Sequence, residues 1–223
     1  TLAARGDTRA DFFRKAGLAG GAVMGGGALL SALVPGTALA GRTPYDGGRS
    51  VRPPASFGAG DVGILNFALT LEYLERNFYK EAARNSRRGR LDLGKREKNF
   101  LMTVFRDEKA HVKFIAKALG SNAIAEPKFD FGKATSDRKT FLQTSFALEN
   151  TGVGAYAGQA FLIENPSTAA AALSIWSVEA RHAGFIGGLI RGMKGIAPGG
   201  PFDDPLNANQ VLKVVAKTGF VKG

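Results

Sequence analysis

Apolar residues return at helical spacing through four long stretches of this chain, and each stripe is interrupted by acid or by acid and imidazole. In the first, Ile64, Ala68, Leu71, Phe78 and Ala82 share a face with Glu72 and Glu75. In the second, Leu101, Val104, Phe105, Ile115 and Leu119 leave a gap filled by Glu108 and His111. The third stripe carries Leu142, Phe146, Val153, Tyr156 and Ala160 around Glu149. The fourth carries Ala172, Ile175, Trp176, Ala183, Ile186 and Leu189 around Glu179 and His182. This period is that of an amphipathic α-helix. It predicts helices over 62–85, 95–119, 138–162 and 166–193, with a shorter one over 207–217.

Punctuation agrees with the periods. Asp61 is placed to cap the first helix, Gly120 to end the second, and Asn165-Pro166 to serve as cap and first residue of the fourth. The 18 residues of 120–137, with Pro127 among them, exceed the usual helix-to-helix loop and predict a crossover running the length of a bundle. No strand pattern of substance occurs. Gly152, Gly154 and Gly158 lower helix propensity in the third helix. Close helix approach, room for a ligand, or tolerance in a well-packed bundle would each account for them. The fold class is all-α, a four-helix bundle with one long crossover between its second and third helices and a short C-terminal helix. The chain divides into a signal-like segment (1–40), a Gly/Pro/Arg-rich linker (41–60), the bundle (61–194) and a C-terminal extension (195–223).

Carboxylates do not enter apolar faces unpartnered, because desolvating a lone charge costs several kcal/mol or neutralises it. The chain has two histidines, and both end Glu-x-x-His quartets: Glu108 to His111 and Glu179 to His182. Residues i and i+3 of a helix share a face, so each quartet aims a carboxylate and an imidazole at one point. Glu72 and Glu149 stand 77 residues apart, and Glu108 and Glu179 stand 71 apart. A helix pair thus repeats, and Glu72, Glu108, His111, Glu149, Glu179 and His182 form a candidate two-metal site. A metal-free polar core is the alternative, but four carboxylates meeting there would repel one another and some would stay protonated. Oxygen ligands with one imidazole per metal suit iron or manganese better than copper. Glu75 lies near the ligand face as a seventh participant or supporting group. Tyr79 and Tyr156, two turns beyond Glu72 and Glu149, reach the margin of the site. Core packing is the simpler account of both, and a hydrogen bond or redox role is the alternative.

Composition narrows the chemistry. Cysteine is absent from the 223 residues, which excludes disulfides and thiolate metal sites. A net charge of +11 attracts anionic polymers and nucleic acid non-specifically. The densest basic group, from Arg84 to Lys98, has no interleaved aromatics and reads as a solvated turn.

The runs Leu65 to Glu75, Glu108-Lys109-Ala110-His111, Ala147 to Gly152 and Ser177 to His182 resemble the bacterial ferritin-like proteins, in the branch that includes desiccation-related proteins. The resemblance covers about 61–217. It implies that Glu72 and Glu149 each bind one metal, that Glu108 and Glu179 bridge two, and that His111 and His182 bind one each. The implied cofactor is a pair of iron ions, with manganese or a mixed manganese–iron pair as variants. The implied activity is oxidation of Fe(II) by oxygen or peroxide in stress protection, so a ferroxidase or di-iron oxidoreductase is expected. A metal-stapled structural bundle and a cage subunit for iron storage are the alternatives, the last requiring homo-oligomers.

Residues 1–40 read as a targeting segment. A basic lead-in around Arg9 and Arg14 precedes an uncharged Gly/Ala-rich stretch, and Ala38-Leu39-Ala40 forms a small-x-small cleavage signature before Gly41. The layout resembles a twin-arginine export signal, although Ala10 stands where the second arginine would. The expected location is the periplasm or cell envelope. Membrane anchoring through residues 16–40, or a cytoplasmic form retaining the segment, is the alternative.

Overall fold

The computed structural model describes residues 51–222, so the signal-like segment of the sequence reading lies outside the described residues. Four long helices make the body: α1 (Gly60–Arg87), α2 (Lys95–Leu119), α3 (Arg138–Ala160) and α4 (Pro166–Arg191), followed by α5 (Ala208–Thr218). The architecture is the expected all-α bundle. Among the described residues no helix is long and apolar enough to cross a membrane.

Local chemistry explains where the helices begin. Asn165 accepts from the backbone N–H groups of Ser167 and Thr168, with Pro166 at the first helical position of α4. Asp137 caps α3 by accepting from Thr140 N–H. Asp61 differs from expectation. Ala59 is the N-cap of α1, and the Asp61 carboxylate instead accepts from the N–H groups of Glu164 and Asn165, at 2.8 and 2.9 Å. A carboxylate satisfied by the neighbouring loop ties the start of α1 to the start of α4.

The crossover from α2 to α3 runs back along α1, held at three heights by asparagines of that helix. Asn66 donates to the Asn122 carbonyl and accepts from Ile124 N–H. Asn77 donates to Glu126, and Asn85 donates to the Thr135 carbonyl. α2 and α3 are therefore parallel, and α1–α2 and α3–α4 are antiparallel hairpins. A two-residue ribbon, β1 (Lys128–Phe129) against β2 (Val221–Lys222), joins the crossover to the chain's end. Two-residue strands carry no readable period, and no sequence signal announced them.

One end of the bundle is filled by aromatic rings. Phe78 stacks on Phe141 with centroids 5.5 Å apart, and Tyr79 meets Phe100 and Phe141 edge-on at 6.1 and 6.3 Å. Val211, Leu212 and Val215 of α5 join this core. Arg138, at the start of α3, pairs with Glu97 in the first turn of α2 and closes that end. The other end is built mainly from aliphatic side chains, among them Ala68, Leu69, Ile115, Ala172 and Ile175, with Tyr156 in their midst. Of the α3 glycines, Gly158 owes its place to close approach: a Cβ there would stand 1.9 Å from the Leu206 carbonyl oxygen. The segment leading into α5 crosses α3 at that point, and Leu206 N–H donates to the Gly154 carbonyl.

Candidate metal centre

Each inner helix face presents its acid at mid-height, so Glu72, Glu108, His111, Glu149, Glu179 and His182 meet at the centre of the bundle, all buried. They fall into two sets that share members. Ligand atoms of Glu72, Glu108, His111 and Glu179 lie within 4.8 Å of one another, and so do those of Glu108, Glu149, Glu179 and His182. The shared residues are Glu108 and Glu179. The imidazole rings stand 6.5 Å apart between centroids.

Both histidines turn Nδ1 inward. His111 Nδ1 is 3.3 Å from Glu72 Oε2, 3.4 Å from Glu108 Oε2 and 3.2 Å from Glu179 Oε1. His182 Nδ1 is 3.3 Å from Glu108 Oε1 and 3.2 Å from Glu149 Oε2. Behind His182, Nε2 lies 3.3 Å from Asp107 Oδ2. A carboxylate on the far nitrogen keeps a proton there and leaves the Nδ1 lone pair for the centre.

The outer oxygens of the terminal glutamates are satisfied by phenols. Tyr79 donates to Glu149 Oε1 and Tyr156 donates to Glu72 Oε1. The hydrogen bond is thus the role of both tyrosines, and each reaches the glutamate of the other helix rather than its own. What remains is a set of eight buried atoms without hydrogen-bond partners: Glu72 Oε2, Glu149 Oε2, both oxygens of Glu108 and of Glu179, and the two Nδ1 atoms. Buried polar atoms in native proteins are nearly always satisfied. One free oxygen on each terminal glutamate, two on each shared glutamate and one nitrogen per histidine is the donor set of a carboxylate-bridged cation pair. The residues fit such a group.

Electrostatics point the same way. Burial, and then the Glu72 charge, push the Glu108 carboxyl up to about 8. Burial and Glu108 push Glu179 well above the ordinary carboxylate range. Burial works against the charged form of His182, but Glu108 and Glu149 outweigh it and raise the imidazole to about 11. His111 is raised as well, with burial opposed by Glu108, Glu179 and Glu72. For Glu72, burial is overcome by its contacts with His111, and the carboxyl is held below its ordinary value. Without a cation, the centre retains protons to offset its own negative charge. Glu75 belongs to neither set. It is buried, and burial followed by the charges of Glu179 and Glu108 pushes it well above the ordinary range. A Cβ on Gly152 would lie 3.0 Å from Glu179 Oε2 and 3.4 Å from Glu75 Oε1, so that glycine makes room for both carboxylates.

Residues 60–192 match the family model of the ferritin-like domain. The chain belongs to the ferritin-like family. Among curated proteins none matches it. Within this ferritin-like domain the matched span runs from the first residues of α1 to just past α4, so it contains all six converging residues and Asp107. Asp107, in contact with His182, is the residue of the centre that sequence reasoning missed. Its signal is an acid next to Glu108 at a partly buried position, while Val178 stands at the equivalent place before Glu179.

Proposed function

We propose that this ferritin-like domain holds two iron ions and oxidises Fe(II) with dioxygen or hydrogen peroxide. The observation that carries the reading is the set of eight buried, unpartnered donor atoms, divided into two four-ligand groups with two carboxylates in common. Four protein ligands per ion leave coordination positions open. A ferrous pair, when bound, supplies one electron from each ion, and two electrons with two protons convert dioxygen to hydrogen peroxide, or hydrogen peroxide to two waters.

The chain's own groups have separable tasks. Glu108 and Glu179 span both positions and hold them at a fixed separation. Tyr79 and Tyr156 restrain the terminal glutamates so that one oxygen of each faces inward. Asp107 fixes the tautomer and tilt of His182. A second reading, a bundle stapled by metal without turnover, draws on the mutual repulsion of Glu75, Glu108 and Glu179, since cations there would strengthen the fold by binding the native state alone.

The test is metal analysis of anaerobically prepared protein followed by exposure to air. Two irons per chain with rapid oxygen consumption support oxidation. Two metals without consumption favour the staple, and no metal at all, with an unchanged melting temperature on adding iron or manganese, sinks both. The residue pattern of 1–40 supports an exported protein of the periplasm or envelope, and the proposed consumption of Fe(II) and peroxide is what would make it protective under stress. A native preparation whose chain begins at Gly41 would support that route, and one retaining residues 1–40 would count against it.

A further inference from the structure

At the aliphatic end of the bundle lies an apolar cavity of about 30 Å³. Its walls include Ala68 of α1, Ile115 of α2, Tyr156 of α3 and Ala172 and Ile175 of α4. Three of these stand one helical turn from three of the four ligands of the His111-side position: Ala68 before Glu72, Ile115 after His111, Ile175 before Glu179. One turn is roughly 5.4 Å. The cavity therefore abuts that position, and Tyr156, bonded to Glu72, makes the wall between them. Phe114, 52% exposed, also lines it, which puts its mouth at the solvent edge of α2.

Size and polarity select the occupant. A cavity needs roughly 10–15 Å³ on this measure to hold one water-sized body, so this one takes about two, a diatomic molecule rather than a ring or a chain. The polar side chains on its wall are Tyr156 and Gln159. The Tyr156 hydroxyl is committed to Glu72, and the Gln159 amide nitrogen donates to the Val51 carbonyl, leaving the buried Gln159 Oε1 unpartnered. A trapped water needs two to four polar partners. It would find here two acceptors, Gln159 Oε1 and the remaining lone pair of the Tyr156 hydroxyl, and no free side-chain donor on an otherwise apolar wall, so the cavity favours apolar contents. Beside the His182-side position, Val104, Ser145 and Ile186, each one turn from a ligand, are fully buried with Tyr79.

We infer that this cavity is a holding site for dioxygen, which enters past Phe114 and reaches the His111-side position first. The inference rests on the proposed oxidation for its purpose, but not for the binding itself. Xenon, an apolar probe of similar size, separates the two. Crystals of the full chain under xenon pressure should show one atom between Ala68, Ile115 and Ala172. In solution, xenon should raise the KM for dioxygen of the iron-loaded protein while leaving kcat unchanged. Ala172→Leu, and independently Ala68→Leu, should abolish the xenon site and raise that KM at least tenfold, with anaerobic Fe(II) binding unchanged. Absence of xenon from the cavity overturns the inference, as does an aliphatic chain found there in the same crystals. A variant that loses the xenon site yet keeps its KM within twofold also overturns it. If iron is bound but never oxidised, the functional reading fails, and the crystal result still decides whether the cavity takes a dioxygen-sized guest.

Discussion

Tyr79 and Tyr156 make the same hydrogen bond at opposite ends of a pseudo-symmetric centre, yet their surroundings share little. Tyr79 is enclosed by Phe78, Phe100 and Phe141. Tyr156 borders a cavity whose wall is mostly aliphatic, with alanine and isoleucine its commonest residues and Phe67 and Phe114 among the rest. The donor set is nearly two-fold symmetric while the packing around it is not. Repeating a ligand pattern constrains only the residues that point at the centre; the turns above and below are free to diverge, one end toward rigidity and the other toward access.

Removing a carboxylate common to both positions should erase the comparison altogether. Glu179→Ala is expected to lower metal content from two per chain to none, whereas His111→Ala should leave one, at the His182 side; elemental analysis of the purified variants decides. Truncation of the packed end comes next. Phe141→Ala should cost about 3–5 kcal/mol by denaturant unfolding. Ile175→Ala, beside a space that already exists, should cost nearer to about 2 kcal/mol, because the price of truncation depends on what the site has left to lose. Equal losses would mean that the two ends are packed alike.

A subtler asymmetry lies in Asp107, which supports His182 and has no carboxylate counterpart behind His111 among the described residues. Asp107→Asn should weaken metal binding at the His182 side by roughly 10–100-fold and leave the other position unaffected, visible as two separated steps in a titration. The smallest effect is on pH. Glu108 holds its proton to about 8 in the fold against an ordinary 4.5, so its support of the metal-free protein is complete below pH 4.5 and is lost as pH rises through about 8. His182, at about 11 against 6.5, acts in the same direction between those values. The metal-free protein should melt lower at pH 8 than at pH 5. Bound cations should flatten that slope, and a rise with pH would contradict the electrostatic account.

The four helices and the convergence of Glu72, Glu108, His111, Glu149, Glu179 and His182 were legible because a single period of 3.6 governs both the apolar stripe and the acids that interrupt it. Features that depend on distant chain were not. Gly154 and Gly158 read as weak spots in a helix until residue 206 is seen crossing them. Asp61 looked like a cap for its own helix, and only the tertiary position of 164–165 gives its carboxylate better partners. The crossed reach of the tyrosines was hidden for the same reason: spacing tells how far along a helix a hydroxyl sits, not which neighbouring helix it faces. The cavity depends on the volumes of four side-chain layers brought together, a quantity that no local stretch contains.

The crossover makes α1–α2 one hairpin and α3–α4 another, and the centre is divided equally between them. Glu72, Glu108 and His111 come from the first hairpin, while Glu149, Glu179 and His182 come from the second. Each four-ligand set draws three members from one hairpin and borrows a glutamate from its partner. Neither hairpin alone can complete a set. A full complement of cations would therefore certify that both halves have docked in register, making metal loading a checkpoint on assembly as well as a step toward activity.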